Sequence, residues 1–140
     1  MAVATHVSRV AKEYAPYGYS IVEDVAVRFG ALTHGGDHKL VALAPTDADI
    51  YVESATLVFD TTAAANADWD VSIYNETDAA ALNSAAVATG SVAALTPQAI
   101  TIDQHQTVAV NDLLVVWFDN DGSAGASPTG SVIIRYRRKA

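Results

Sequence analysis

The sequence predicts an all-β domain, an antiparallel β-sandwich or jelly roll of about 7–8 strands, preceded by an extended N-terminal arm. Three observations carry this expectation. From residue 20 onward, apolar side chains recur mainly at every second position, the period of a strand with one buried face. These short runs are separated by clusters of Gly, Pro, Asn and Asp, as turns between strands require. The 140 residues show no internal repeat, low-complexity tail or composition break, so residues 20–140 read as one sandwich domain and residues 1–19 as its arm.

The elements follow in order. Val25, Val27 and Phe29 alternate with Ala26 and Arg28 before Gly30, a half-buried strand. Gly35-Gly36 turns the chain into a strand over His38–Leu43, which Pro45 closes. The longest strand spans residues 50–59. Ile50 and Val52 share one parity while Leu57 and Phe59 share the other, which demands a β-bulge or bend near Ser54-Ala55. Trp69, Val71 and Ile73 alternate with Asp70, Ser72 and Tyr74 in a two-faced strand. Residues 78–95 are ambiguous: their alanines favour helix, but Asn83, Ser84, Thr89, Gly90 and Ser91 favour turns. A loop with at most a short helix, and an edge strand near Val87, reconciles the two. Ile100 and Ile102 mark another strand, and Val108 and Val110 a short further one. Leu113–Phe118 is apolar on both parities, the pattern of a central strand covered on both sides. Val132, Ile134 and Tyr136 alternate with Ile133, Arg135 and Arg137 in the last strand. The expected core is one cluster of Phe59, Trp69, Val71, Ile73, Val115, Trp117 and Ile134 between two sheets.

Composition excludes several function classes. There is no Cys, hence no disulfide, thiolate nucleophile or Cys-ligated metal. The apolar content of 51% is inflated by 27 alanines, yet the rest suffices for one core. Eight Lys and Arg against 16 Asp and Glu give a net charge of −8, which repels nucleic-acid phosphates and anionic lipid. Residues 1–20 lack the apolar run of about 7 residues that a secretory signal needs, and no run of about 18 apolar residues marks a membrane helix. The expected setting is the cytoplasm in which the protein is made.

Motifs for chemistry are weak. His34 and His38 stand four apart, but Gly35-Gly36 disfavours the helix that would bring both rings to one metal, so a solvated turn is expected. Asp119-Asn120-Asp121-Gly122 resembles part of a calcium loop without its closing Glu and reads as a hairpin turn. No nucleophile elbow, P-loop or dinucleotide fingerprint occurs. Tyr51 and Tyr74 fall on the polar sides of their strands, where aromatic rings could form a sugar platform, so a carbohydrate-binding sandwich stands as an alternative. Catalytic, cofactor and metal residues are therefore expected to be absent.

The two ends of the chain carry the candidate binding residues. Val3, Val7, Val10 and Tyr14 have helix-like spacing, followed by Pro16 and Gly18 as breakers, and Tyr14, Tyr17 and Tyr19 crowd the exit. The stretch reads either as a frayed terminus with one turn of helix or as an arm whose Val and Tyr side chains pack on a neighbour, since on a monomer they would stay wet. At the other end Arg135, Arg137, Arg138 and Lys139 hold half of the basic residues. They read as the charges of an edge strand or as a docking patch for an acidic surface.

LVALAPTDADIYVESATLVFDTT, ADWDVSIYNETDAAAL, ATGSVAAL, NDLLVVWFDNDGSAGASPTG and SVIIRYR together cover about two-thirds of the chain. In their acidic, Ala/Thr/Val-rich, cysteine-free character and Gly-closed last hairpin, they resemble the small β-structured virion proteins of tailed-bacteriophage head modules. Within that group the chain looks most similar to head decoration (cement) proteins. The resemblance implies a place on the capsid exterior, the major capsid protein as partner, a homotrimer, and no catalytic residue, cofactor, small-molecule substrate, nucleic acid or membrane. A head fibre base, neck or tail component is the alternative within the virion.

Overall fold

The computed structural model describes residues 19–33, 36–120 and 124–139, and the described residues contain strands, turns and loops but no helix. Ten strands are present among them: β1 (Tyr19–Phe29), β2 (His38–Leu43), β3 (Ile50–Phe59), β4 (Asp70–Asn75), β5 (Ala80–Ala81), β6 (Val87–Ala88), β7 (Gln98–Ile100), β8 (Thr107–Val108), β9 (Leu114–Asp119) and β10 (Gly130–Lys139). One sheet has the order β1-β10-β3-β7, with β8 also on β3; the other is β2-β9-β4-β5, with β6 also on β4.

Every pairing is antiparallel and the pattern is nested. β1 meets β10, β2 meets β9, β3 meets β7 and β8, and β4 meets β5 and β6. The chain is thus one long hairpin rolled on itself, which is a jelly roll rather than a meander. The expected strand count rises to ten because the region read as a loop contributes two-residue strands on β4, Val87–Ala88 among them, and no helix forms there.

The parity switch in β3 has its predicted cause. Arg135 pairs with Ser54 but Tyr136 pairs with Val52, so Glu53 is the extra residue of a β-bulge. It lets Ile50 and Val52 on one side of the bulge, and Ala55, Leu57 and Phe59 on the other, all face the core. Phe29 packs edge-on against Phe59, with ring centroids 5.9 Å apart, and against Phe118 at 4.9 Å. Gly130 makes room for this cluster: a Cβ there would lie 2.8 Å from the Phe29 ring and 2.4 Å from the Val58 carbonyl oxygen.

Trp69 is fully buried, and its indole N–H donates to the Gly125 carbonyl at 3.0 Å. Phe59, Val71, Ile73 and Ile134 join it in the expected core. Two core assignments need correction. In β9 it is Leu114, Val116 and Phe118 that face the other sheet, so Val115, though buried, and half-exposed Trp117 lie on the outer face. An apolar run on both parities does not say which parity faces inward.

Two further expectations are overturned. β9 and β10 belong to opposite sheets, so the segment after Asp119 crosses the sandwich and is no hairpin; Asp121, Gly122 and Ser123 lie outside the described residues. β10 is not an edge either, because it runs between β1 and β3.

Candidate functional site

The strands that open and close the fold meet at one tip, where Tyr19 is paired with Lys139. The predicted binding residues Val3, Val7, Val10, Tyr14 and Tyr17 lie outside the described residues, as do His34 and the side chain of Tyr19. Arg135, Arg137, Arg138 and Lys139 all sit on β10, toward the end of the strand that pairs with Tyr19.

Alternation along β10 divides its basic residues between two faces. On the outer face Arg135 makes a two-pronged pair with Asp24 of β1, at 2.9 and 3.1 Å. Arg137 pairs with Glu53 at the bulge, and Arg28 with Asp60 farther along. The neighbouring guanidinium holds the Asp24 carboxyl below its usual range, and Arg28, helped by Thr129, does the same for Asp60. Ile133, Val22 and Ala26 are exposed between these rungs.

On the inner side, Tyr136 donates its O–H to Glu23 at 2.7 Å and Arg138 donates to the other carboxylate oxygen at 2.8 Å. These two hydrogen bonds lower the Glu23 pKa, the tyrosine contributing most. Burial, reinforced by the carboxylate it serves, pushes the Tyr136 phenol up to about 12. The triad forms one wall of a cleft of about 260 Å³. Residues from Leu43 at the end of β2 to Ile50 at the start of β3, Thr46 and Asp47 among them, complete its lining.

The second sheet presents a different outer surface. Tyr74 and Trp117 meet at 4.9 Å, and Lys39 Nζ lies 5.1 Å and 4.8 Å from the two ring centroids. Lys39 is held there by Glu76 at 2.9 Å. Asp37, read from the sequence as a carboxylate beside two histidines, accepts the Trp117 indole N–H at 3.1 Å and the Asn120 backbone N–H at 3.0 Å. Beside this cluster Val41 stands 65% exposed. A cation stacked over both rings makes a platform already covered, less open to a sugar than a bare ring.

Sequence reasoning did not find Glu23, Asp24 and Glu53, the acids that match the basic cluster. The acidic pair in β1 was visible, but which strand it would lie beside was not. Arg28, Lys39, Arg135, Arg137 and Arg138 are each ion-paired within the chain. Several aspartates serve the loops instead: Asp49 accepts the Val110 N–H, Asp68 the Gly90 N–H, and Asp103 both the N–H and hydroxyl of Ser84. Among the described residues no group of three His, Asp or Glu side chains is placed to hold a metal ion.

The fold has a known counterpart. Over 89% of both chains, with a TM-score of 0.50 and 17% identity, it matches a chain of the cyanophage Pam1 capsid asymmetric unit. The likeness is one of fold. A chain of the infectious bursal disease virus Gx strain is matched over 85% of this chain and 37% of its own length, at a TM-score of 0.36 and 17% identity. No protein-family model and no curated protein sequence matches the chain.

Proposed function

We propose that this chain is a structural virion protein that decorates and stabilises a tailed-phage capsid from outside, binding the shell of the major capsid protein as a homotrimer and catalysing no reaction. The observation that carries the reading is the match in fold to a chain of a phage capsid over 89% of both chains, because it takes in most of each chain rather than a fragment. The surfaces support it. Exposed Ile21, Val22 and Ile133 on one sheet and Val41 on the other offer apolar contact on an otherwise acidic molecule. Weak contacts of this kind gain strength when a trimer engages several shell subunits at once, since each attachment raises the effective concentration of the next. The basic cluster is largely matched by Asp24, Glu53 and Glu23, so the apolar N-terminal segment is expected to carry more of the attachment than screened charge.

The test mixes the purified protein with phage shells lacking it and follows co-sedimentation. Saturable binding, with a rise in the temperature at which shells rupture, is the expected result. Absence of binding at micromolar concentration would sink the proposal, and reproducible binding to isolated glycans without shell binding would favour the carbohydrate reading.

A further inference from the structure

We propose that the open edge of β1 is a self-association surface, on which β1 of a second copy of this chain pairs antiparallel about a two-fold axis at Ala26. The contact is additional to the three-fold assembly proposed above and draws on no property of a capsid.

Edge strands are usually blunted against such pairing by short length, bulges, proline or lysine. The other edges of this fold conform. β5, β6 and β8 have two residues each and β7 has three, while β2 carries Lys39 and a register shift between Val41 and Leu43. β1 does not conform. Among the described residues it is hydrogen-bonded to a strand on one side only, by β10. It contains neither Pro nor Lys, and from Ile21 to Phe29 its pairing with β10 runs without a shift. That stretch offers a second strand an unbroken row of backbone donors and acceptors.

The side chains name the partner and the register. Val22, Asp24, Ala26 and Arg28 alternate along the outer face of β1, and all four are exposed. A second β1 must match outer face to outer face, which admits only every second alignment. Pairing about Ala26 sets Asp24 of each copy opposite Arg28 of the other. Pairing about Asp24 or Arg28 sets like charges face to face, which is destabilising. Pairing about Val25 or Val27 leaves each charge opposite Val22, Ala26 or Gly30. Of these centres Ala26 alone makes the charges complementary, and it does so twice, as an isologous contact requires.

Both charges have capacity to spare. Asp24 already binds Arg135 and Arg28 already binds Asp60, yet their side chains stay 46% and 61% exposed. A carboxylate has about four acceptor positions and a guanidinium about five donors, so each can take a further partner. Across the joined sheets the row reads Arg135, Asp24, Arg28, Asp60, alternating in sign from one copy to the next. Ala26 keeps the axis clear, and exposed Ile133 lies beside it on β10 of each copy. Exposed Val22 falls opposite Gly30, where a Cβ would meet nothing within 4 Å.

The chain has no cysteine, so single introduced thiols in the full chain report the geometry. Ala26→Cys places two thiols at the axis, within disulfide reach. Mild oxidation is expected to link its copies at least tenfold faster than those of Val22→Cys, which lie about 27 Å apart along the strands. Light scattering at high micromolar concentration is expected to give the wild type a mass that is an even multiple of 14.7 kDa. Asp24→Arg and Arg28→Asp are each expected to weaken association about tenfold, because like charges then face one another. The double variant is expected to recover wild-type association. Its in-chain pairs with Arg135 and Asp60 stay broken, so recovery reports the contact between copies. The proposal is overturned if the wild type is a monomer, with or without residues 1–18 covering the edge, or a trimer. It is overturned equally if the two thiol variants link at the same rate, or if the double variant associates no better than the single ones.

Discussion

Trp69 and Trp117 show how differently one residue type behaves on the two faces of a sheet. Trp69 has no exposed surface and its only polar atom is satisfied by Gly125. Trp69→Ala is expected to destabilise the domain by about 3–5 kcal/mol. Trp117 gives up an aromatic pair and a stacked cation, and Trp117→Ala is expected to cost only about 1–2 kcal/mol. Urea unfolding of both variants measures the difference. Fluorescence gives a second view: an aqueous quencher should reach Trp117 and leave Trp69 untouched. Equal costs for the two substitutions would contradict the assignment of faces. The sequence read both tryptophans as core because each lies in an apolar strand. Only the geometry of β9 against β4 separates them, since Leu114, Val116 and Phe118 fill the core and leave Trp117 to Tyr74 and Lys39.

At the scale of elements, the bulge in β3 was legible and the sheet membership of the strands was not. A side-chain pattern with period two must break when a residue is added, so the switch between Val52 and Leu57 announced the bulge before any partner was known. The same alternation looks identical whichever strand lies alongside, and so β10 passed for an edge and the Asp119 turn for a hairpin. The bulge makes a sharp prediction. Deleting Glu53 restores regular alternation, with Val52 inward, Ser54 outward and Ala55 inward. That variant should fold, losing the Arg137 ion pair at a cost of about 1 kcal/mol. Deleting Thr56 instead sets Ala55 and Leu57 at adjacent positions and forces one half of β3 to turn its apolar set to solvent. Each large side chain so exposed costs about 1.5–3 kcal/mol, a large share of typical domain stability. Circular dichroism and thermal unfolding of the two deletions decide the point, and a folded Thr56 deletion would refute the register.

For the molecule as a whole, ionisation sets the limits of stability at both ends of the pH scale. Glu23, Asp24, Asp37, Asp60 and Asp103 are all held below their ordinary pKa: Tyr136 leads the effect on Glu23, Arg135 on Asp24, the Asn120 backbone on Asp37, Arg28 on Asp60 and Ser84 on Asp103. A carboxyl with a depressed folded pKa stabilises above its unfolded pKa, and that contribution disappears as pH falls through the folded value. Melting temperature should therefore decline below about pH 4. Tyr136 acts in the opposite direction. Its pKa is raised from 10.0 to about 12, so its contribution is complete below pH 10 and is lost as pH rises from 10 towards 12. Tyr136→Phe should flatten the alkaline limb relative to wild type and shift the Glu23 part of the acid limb upward. Melting curves across pH 2–12 supply the check; an unchanged alkaline limb in the variant would contradict the role given to Tyr136.

The position of β10 between β1 and β3 also determines when the fold can form. During synthesis β1 and β3 leave the ribosome long before their common neighbour exists, and each waits with a full row of backbone donors and acceptors open on the side β10 will occupy. Local hairpins around β4, β5 and β6 can close early, but the larger sheet requires a contact spanning from Tyr19 to Lys139. Closing so long a loop before any of its pairing is rewarded makes folding slow for a domain of this size, on the timescale of β-sandwiches rather than helical bundles. The decisive step in folding this domain thus waits until β10 has been made. In the interval, the two open strands are the sites at which newly made copies are most prone to pair with one another rather than with themselves.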